Sequence, residues 1–443
     1  MREKIGFISL GCPKNQVDSE LMLEKLDAAG FEIIDTAFGA DVVIINTCGF
    51  IEDAQKEAID NILEMAELKA QGEVGKIIVL GCLAERFRDE IINEIPEVDA
   101  VGGLGVNGDI VDFVNKVLCA EESSRYPEKE NMPLSGKRIL TTPSHWAYLK
   151  ISDGCDNCCT YCAIPSIRGR FRSRPMDEIV LEAKALSEAG VKEIIVIAQD
   201  TTKYGEDIYE KPMLDVLLRE LNKIDGIEWI RLLYCYPDRI NDELLKTMAE
   251  CKKVLHYIDL PLQHASGKIL SAMNRRGDDK SLLELIGKIR NYMPDCIIRT
   301  TFITGFPGET EEDFEILSKF IEDARFDRLG CFAYSPEEGT PAALLPDRVD
   351  PETAKHRGEV LMEQQYGIFA EKLEAFVGQV VECIVEDYDP YSDSYTGRTW
   401  RDAPEIDSAI AFVSDDELII GSVAEVRITA VNGYDLMGTT NIK

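Results

Sequence analysis

Three times near the start of the chain, an apolar run breaks off at a cysteine. Ile5-Gly6-Phe7-Ile8-Ser9-Leu10-Gly11 leads into Cys12, Val42-Val43-Ile44-Ile45-Asn46-Thr47 into Cys48, and Ile77-Ile78-Val79-Leu80-Gly81 into Cys82. The runs read as buried strands over residues 4–10, 41–46 and 76–80. Helical patterns over 16–29, 51–70 and 84–94 follow them, and 99–102 with 109–118 forms a weaker fourth pair. Such alternation dictates a parallel sheet with helices on its faces. Open parallel sheets build their sites just past the carboxyl ends of the strands. Cys12, Cys48 and Cys82 therefore converge, although they are far apart in sequence. Three thiolates can hold three irons of a 4Fe-4S cluster and leave the fourth iron open. One such cysteine would read as a small buried hydrophobe; three at the same topological point favour the cluster.

A second triad is local. The stretch Gly154-Cys155-Asp156-Asn157-Cys158-Cys159-Thr160-Tyr161-Cys162 places Cys155, Cys159 and Cys162 in a C-x-x-x-C-x-x-C spacing. This again suits a cluster with one open iron. The competing reading is structural zinc, which usually takes four ligands, often as two separated C-x-x-C pairs. Cys158 and Cys159 are adjacent, so both cannot easily face one ion. Cys158 is the ambiguous thiol, able to stand in for Cys159.

Thirteen cysteines in a chain without a membrane-length apolar run or a signal-peptide pattern point to a cytoplasmic location. In that reducing setting they suggest metal or catalysis rather than disulfides. The 48 Lys and Arg face 81 Asp and Glu, a net charge of -33. A nucleic-acid binder normally presents basic surface to phosphates, so direct nucleic-acid binding is not expected and basic partners are favoured. Acidity that only confers solubility is the plainer account.

Residues 1–118 form the first expected domain. Residues 119–144, charged and carrying Pro127, Pro133 and Pro143, read as a linker. Residues 145–373 carry six strand-helix units, with strands over 147–152, 193–198, 229–234, 257–260, 297–303 and 328–334. This is the pattern of an incomplete barrel, and the second cysteine loop follows its first strand. Gln199, Asp200, Gln263, His264 and Arg299 would gather above that loop, though His264 reads equally well as a structural histidine. Arg299, inside an apolar strand, requires a carboxylate from the protein or from a bound cofactor. The basic run Arg168-Gly169-Arg170-Phe171-Arg172-Ser173-Arg174 is read as charge compensation near the clusters in preference to an RNA footprint. Residues 351–376 read as a bridging helix. Residues 374–443 read as a small β-barrel with 14 acidic and four basic side chains. There Tyr388, Tyr391, Tyr395 and Trp400 interleave with Asp387, Asp389, Asp393 and Asp402. That pattern suits recognition of a basic polypeptide or sealing of the barrel.

The chain resembles the radical-SAM methylthiotransferase family over nearly its whole length. The resemblance is carried by Cys12, Cys48 and Cys82 after strands, by the Cys155, Cys159, Cys162 loop, and by Ile164-Pro165 and Ser173-Arg174-Pro175. Pro261-Leu262-Gln263-His264-Ala265-Ser266 and Gly305-Phe306-Pro307-Gly308-Glu309-Thr310 complete it. It implies an α/β chain: an N-terminal parallel α/β domain with an auxiliary cluster, an incomplete (β/α)6 radical-SAM barrel and a TRAM-like β-barrel for substrate recognition. It implies two 4Fe-4S clusters, held by Cys12, Cys48, Cys82 and by Cys155, Cys159, Cys162, and S-adenosyl-L-methionine as cofactor. Tyr161, Gln263 and Arg299 are the implied cofactor contacts, with no catalytic residue beyond the cluster ligands. Hydrogen would be taken from the substrate carbon by a radical made from S-adenosylmethionine at the second triad, and sulfur delivered from the first. Ala198-Gln199-Asp200-Thr201-Thr202 and the 397–407 segment are similar to the branch that modifies an aspartate of ribosomal small-subunit protein S-twelve. The other branch modifies a tRNA adenosine. Two departures stand out: Ser408 where glycine is common, and Asp156-Asn157-Cys158 in place of a more basic filler. An electron-donor protein is a further implied partner, and no membrane is.

Overall fold

The computed structural model describes residues 2–442. Its first sheet contains β1 (Lys4–Ser9), β2 (Glu32–Ile34), β3 (Ala40–Thr47), β4 (Val74–Gly81), β5 (Ala100–Gly102) and β6 (Ser124–Arg125). The order is β2-β1-β3-β4-β5-β6, and every pairing is parallel. β1 lies between β2 and β3, so the winding reverses there and a crevice opens at the ends of β1 and β3. Val42–Ile45 and Ile77–Leu80 are fully buried because both faces are covered. Ala58, Ile62 and Met65 of helix Glu52–Ala70 pack on one face. Met22 and Leu26 of helix Pro13–Ala28, with Phe113 and Val114 of helix Ile110–Leu118, pack on the other.

Three features differ from the sequence reading. β2 is a short, half-polar edge strand with too little apolar signal to stand out. The 84–94 helix is two pieces, Cys82–Phe87 and Glu90–Glu94, broken at Arg88 with φ +48°. Residues 119–144 are not a free tether. Within them β6 extends the first sheet, and Arg138 bridges Glu20 at 2.8 Å and Glu182 at 2.9 Å.

The second sheet begins with β7 (Trp146–Lys150). A two-residue ladder, β8 (Ser152–Asp153) with β9 (Arg172–Ser173), closes the base of the cysteine loop. β10 (Glu193–Ile197), β11 (Trp229–Leu232), β12 (Val254–Asp259), β13 (Ile297–Thr304) and β14 (Arg328–Ala333) follow. The order β7-β10-β11-β12-β13-β14 is parallel throughout and open, the expected incomplete (β/α)6 barrel. Helix Pro351–Glu374 ties the last two layers together. Its Leu361 and Ile368 enter the core of the central sheet, and its Phe369 and Leu373 enter the small barrel.

That barrel is closed by β15 (Val380–Asp389), β16 (Ser394–Arg398), β17 (Ile410–Val413), β18 (Val423–Asn432) and β19 (Asp435–Thr439). Arg398 and the loop after β16 plug the end of the central sheet away from the cysteines and reach all six of its strands. Glu405 accepts from Tyr148 on β7, Arg398 pairs with Glu193 on β10, and the Trp400 carbonyl accepts from Arg231 on β11. Asp407 accepts from Tyr257 on β12 and lies 3.7 Å from Arg299 on β13, while Asp402 pairs with Arg328 on β14. Asp402 is therefore an interior ion-pair partner, not part of an acidic surface, and Trp400 packs against the central sheet. Tyr395 is buried on Phe412 and seals the barrel, whereas Tyr388 and Tyr391 are exposed. No helix among the described residues is long and apolar enough to cross a membrane.

Candidate metal and cofactor site

Cys12, Cys48 and Cys82 sit just past β1, β3 and β4, at the crevice that the sheet order creates. Close approach of these turns depends on glycine. Gly11 has φ +91°, and a Cβ there would lie 2.4 Å from the Cys48 Cβ. Gly81 has φ +93°, and its Cβ would lie 2.4 Å from the Thr47 carbonyl oxygen. Buried Asn15 locks the turns together, its amide donating to the Leu10 carbonyl at 2.7 Å and the Asn46 carbonyl at 3.2 Å. Cys12 caps helix Pro13–Ala28, so its thiol lies at the positive end of the helix dipole. Burial opposes its ionisation, but Lys14 and Arg168 outweigh burial and hold the thiol below its ordinary range. Burial pushes Cys48 up, and Cys82 up to about 12.

The second triad hangs from β7 and β8. Asp156 accepts from the Phe171 amide at 3.1 Å, and Thr160 Oγ1 donates to the Ala272 carbonyl at 2.8 Å. The Asn274 amide donates to the carbonyls of Asn157 and Cys158 at 3.2 and 3.0 Å. Cys158 adopts φ +51° and is exposed, while its neighbour Cys159 is buried. Burial raises Cys155 to about 11 and Cys162 to about 12; a metal must displace those protons to bind.

Both triads line one cavity of about 380 Å³, and Cys158 does not. The sequence-level candidates Tyr161, Gln199, Gln263 and Arg299 line it too. Gln263 reaches it from a left-handed backbone, φ +73°, bridged to Phe302 beside β13. Arg299 finds its carboxylate within the protein, Asp259 at 3.0 Å. His264 and Asp200 take no place on the cavity wall. His264 is fully buried, with its Nδ1 accepting from the Ser266 amide at 2.9 Å and Glu309 3.4 Å from its Nε2. Asp200 pairs with Arg239 at 3.0 Å. Sequence reasoning missed Lys14, Tyr234, Tyr236 and Arg275 on the wall. Only Lys14, two residues after Cys12, carried a local signal.

The wall is cationic beneath the thiols. Arg168 lies 2.9 Å from both Asp18 and Asp153, and Lys150 joins the same two acids, all four side chains within 1% of full burial. This hub fixes the first helix against β7 and both cysteine turns. Arg174, from the same basic run, is buried on the Lys150 carbonyl and Glu182, so two arginines of the run compensate protein carboxylates, whereas Arg172 donates to the carbonyls of Glu130 and Lys129. Among the described residues, no three His, Cys, Asp or Glu side chains are gathered tightly enough for a single ion. A cluster asks instead for one thiolate per iron, and two sets of three thiols beside buried cations fit that demand.

A parallel α/β domain and an open six-stranded barrel sharing a cavity walled by two cysteine triads define a radical-SAM architecture with an auxiliary thiol site. Family models match accordingly: "Uncharacterized protein family UPF0004" over residues 4–103, "Radical SAM superfamily" over 149–321 and "TRAM domain" over 377–440. "Ribosomal protein uS12 methylthiotransferase RimO" of Lachnoclostridium phytofermentans is 48% identical over 98% of this chain and 99% of its own. The protein of that name from Geobacter sulfurreducens is 44% identical over 99% and 98%. The chain belongs to the RimO methylthiotransferase family. Among solved structures, the radical S-adenosylmethionine methyltransferase TsrM of Kitasatospora setae shares the fold, with TM-score 0.60 at 13% identity over 78% of this chain and 77% of that one.

Proposed function

We propose that this enzyme adds a methylthio group to the β-carbon of an aspartate in ribosomal protein uS12, using Cys12, Cys48, Cys82 and Cys155, Cys159, Cys162 as ligands of two 4Fe-4S clusters. The observation that carries the reading is the single cavity walled by both triads. Family membership supplies the chemistry and the substrate. When bound, the clusters and S-adenosylmethionine supply an electron, radical chemistry able to break an unactivated C–H bond, and the sulfur and methyl that are transferred. The protein's part is placement. The Asp18, Asp153, Lys150, Arg168 hub holds the two thiol sets at fixed separation, so that the reacting atoms meet without a search. Tyr161 and Gln263 on the cavity wall orient the cofactor in this reading, and Arg299, held by Asp259, takes a lesser part. Exposed Tyr388 and Tyr391, beside Asp387, Asp389 and Asp393 at the tip between β15 and β16, offer a surface for a basic polypeptide. A cytoplasmic setting and a separate electron-donor protein complete the proposal.

Mass spectrometry of uS12 and of tRNA from cells with and without the gene tests it. The expected result is loss of a methylthio-aspartate from uS12 with tRNA adenosines unchanged. Loss of methylthio-adenosine alone would assign the tRNA activity instead.

A further inference from the structure

The cavity contains a cation that no carboxylate of the chain pairs, its nearest acidic neighbours being the Cys12 thiol and the Tyr234 ring. Lys14 is 7% exposed and lines the space between the triads, its ammonium 3.3 Å from the centroid of the Tyr234 ring. Its cationic neighbours Lys150 and Arg168 are held by Asp18 and Asp153, and Arg299 is held by Asp259. Lys14 forms no ion pair with a carboxylate among the described residues. A buried ammonium left this way is costly unless an anion arrives. Arg275 is similar but belongs to the other triad, its Nη1 3.8 Å from the Cys159 sulfur. Lys14 lies on the Cys12 side, where sulfur would be delivered. A target carbon must come within near-contact distance of that sulfur, and the β-carbon of an aspartate is one bond from its carboxylate.

We propose that Lys14 grips the β-carboxylate of the target aspartate, so that one ion pair both selects aspartate and places its β-carbon at the first triad. The inference rests on the uS12 reading above. It predicts that asparagine is rejected: the neutral amide would leave the ammonium buried without a carboxylate, and sites built around such a group discriminate strongly.

The test measures binding of reconstituted holoenzyme to uS12 and to uS12 with the modified aspartate changed to asparagine. Wild type is expected to prefer the aspartate protein by about tenfold or more. Lys14→Met should bind both at the wild-type asparagine level, with unchanged iron content and unchanged affinity for S-adenosylmethionine. Lys14→Arg, which keeps the charge, should restore much of the preference and guards against a folding defect in the first variant. Lys14→Met that still prefers aspartate overturns the proposal. Loss of iron would make the cluster the partner of Lys14, and loss of S-adenosylmethionine affinity would make the cofactor its partner; either overturns it as well. A wild type that binds neither form of uS12 overturns the substrate reading and this proposal together, whereas binding without selectivity overturns this proposal alone.

Discussion

Two cysteines side by side have opposite fates. Cys159 is buried against the cavity, and Cys158 is turned to solvent by its left-handed backbone and by the Asn274 clasp on its carbonyl. Cys158→Ala should therefore keep the full complement of about eight irons, while Cys159→Ala should lose about half. Iron analysis with electron paramagnetic resonance checks both, and the reverse pattern would shift the ligand register by one residue. Asp18 makes a different residue-scale prediction. It bonds Lys150 and Arg168 at the buried seam between the first helix and β7. Asp18→Ala leaves two cations sharing one acid, a loss of about 3–5 kcal/mol when a buried pair is broken. Denaturant unfolding measures it, and a loss below about 1 kcal/mol would mean water reaches the seam.

At the scale of elements, caps and turns decide where the polar side chains end up. Helix Glu311–Ala324 opens on a capping box: Asp313 accepts from the Thr310 amide at 2.9 Å and Thr310 Oγ1 at 2.7 Å, and the Asp313 amide donates back to Thr310 Oγ1. Its carboxylate also accepts from Ser266 at 2.6 Å and Lys268 at 2.7 Å. Burial opposes ionisation, but those bonds, led by Lys268, hold its pKa below the usual carboxylate range. A depressed folded value means the stabilisation is complete above the ordinary carboxylate range and fades as pH falls through it toward the folded value. Asp313→Asn should cost about 1–2 kcal/mol at neutral pH, and the gap to wild type should narrow in melts at progressively lower pH. A constant gap would show that the carboxylate's charge contributes nothing.

For the whole molecule, the small barrel is a structural stopper as well as a candidate recognition module. Its plug supplies Arg398 to Glu193 and Asp402 to Arg328. Removing residues 375–443 would leave Arg328 without Asp402 and Asp407, while Glu193 keeps only Arg231 at 2.7 Å. The truncated chain should melt lower and aggregate; an unchanged melting temperature would show that the central sheet stands alone. The exposed tip separates from this role. Asp387, Asp389 and Asp393 changed together to Asn should weaken uS12 binding, more at low salt than at high, without moving the melting temperature. Salt-independent affinity would remove charge from the recognition model.

Much of this architecture is written locally. Apolar runs such as 42–45 and 77–80 can only be interior strands, and a cysteine after each is carried to the same edge by parallel winding. The Cys155, Cys159, Cys162 spacing is local chemistry and needs no fold to be legible. The small barrel and the six parallel strands likewise follow from hydrophobic period and turn residues. What the chain order hides is which charges meet. Arg168 and Asp18 are 150 residues apart, and Asp402 reads as one more surface acid until Arg328 is found beside it. Arg299 could have awaited a ligand, yet Asp259 already holds it. Lys14 is marked in the sequence only by standing two residues after Cys12; that folding buries it without a carboxylate partner is decided by the tertiary structure. A side chain's charge is a property of the sequence; whether that charge is paired, and so whether it waits for a ligand, exists only once distant segments are brought together.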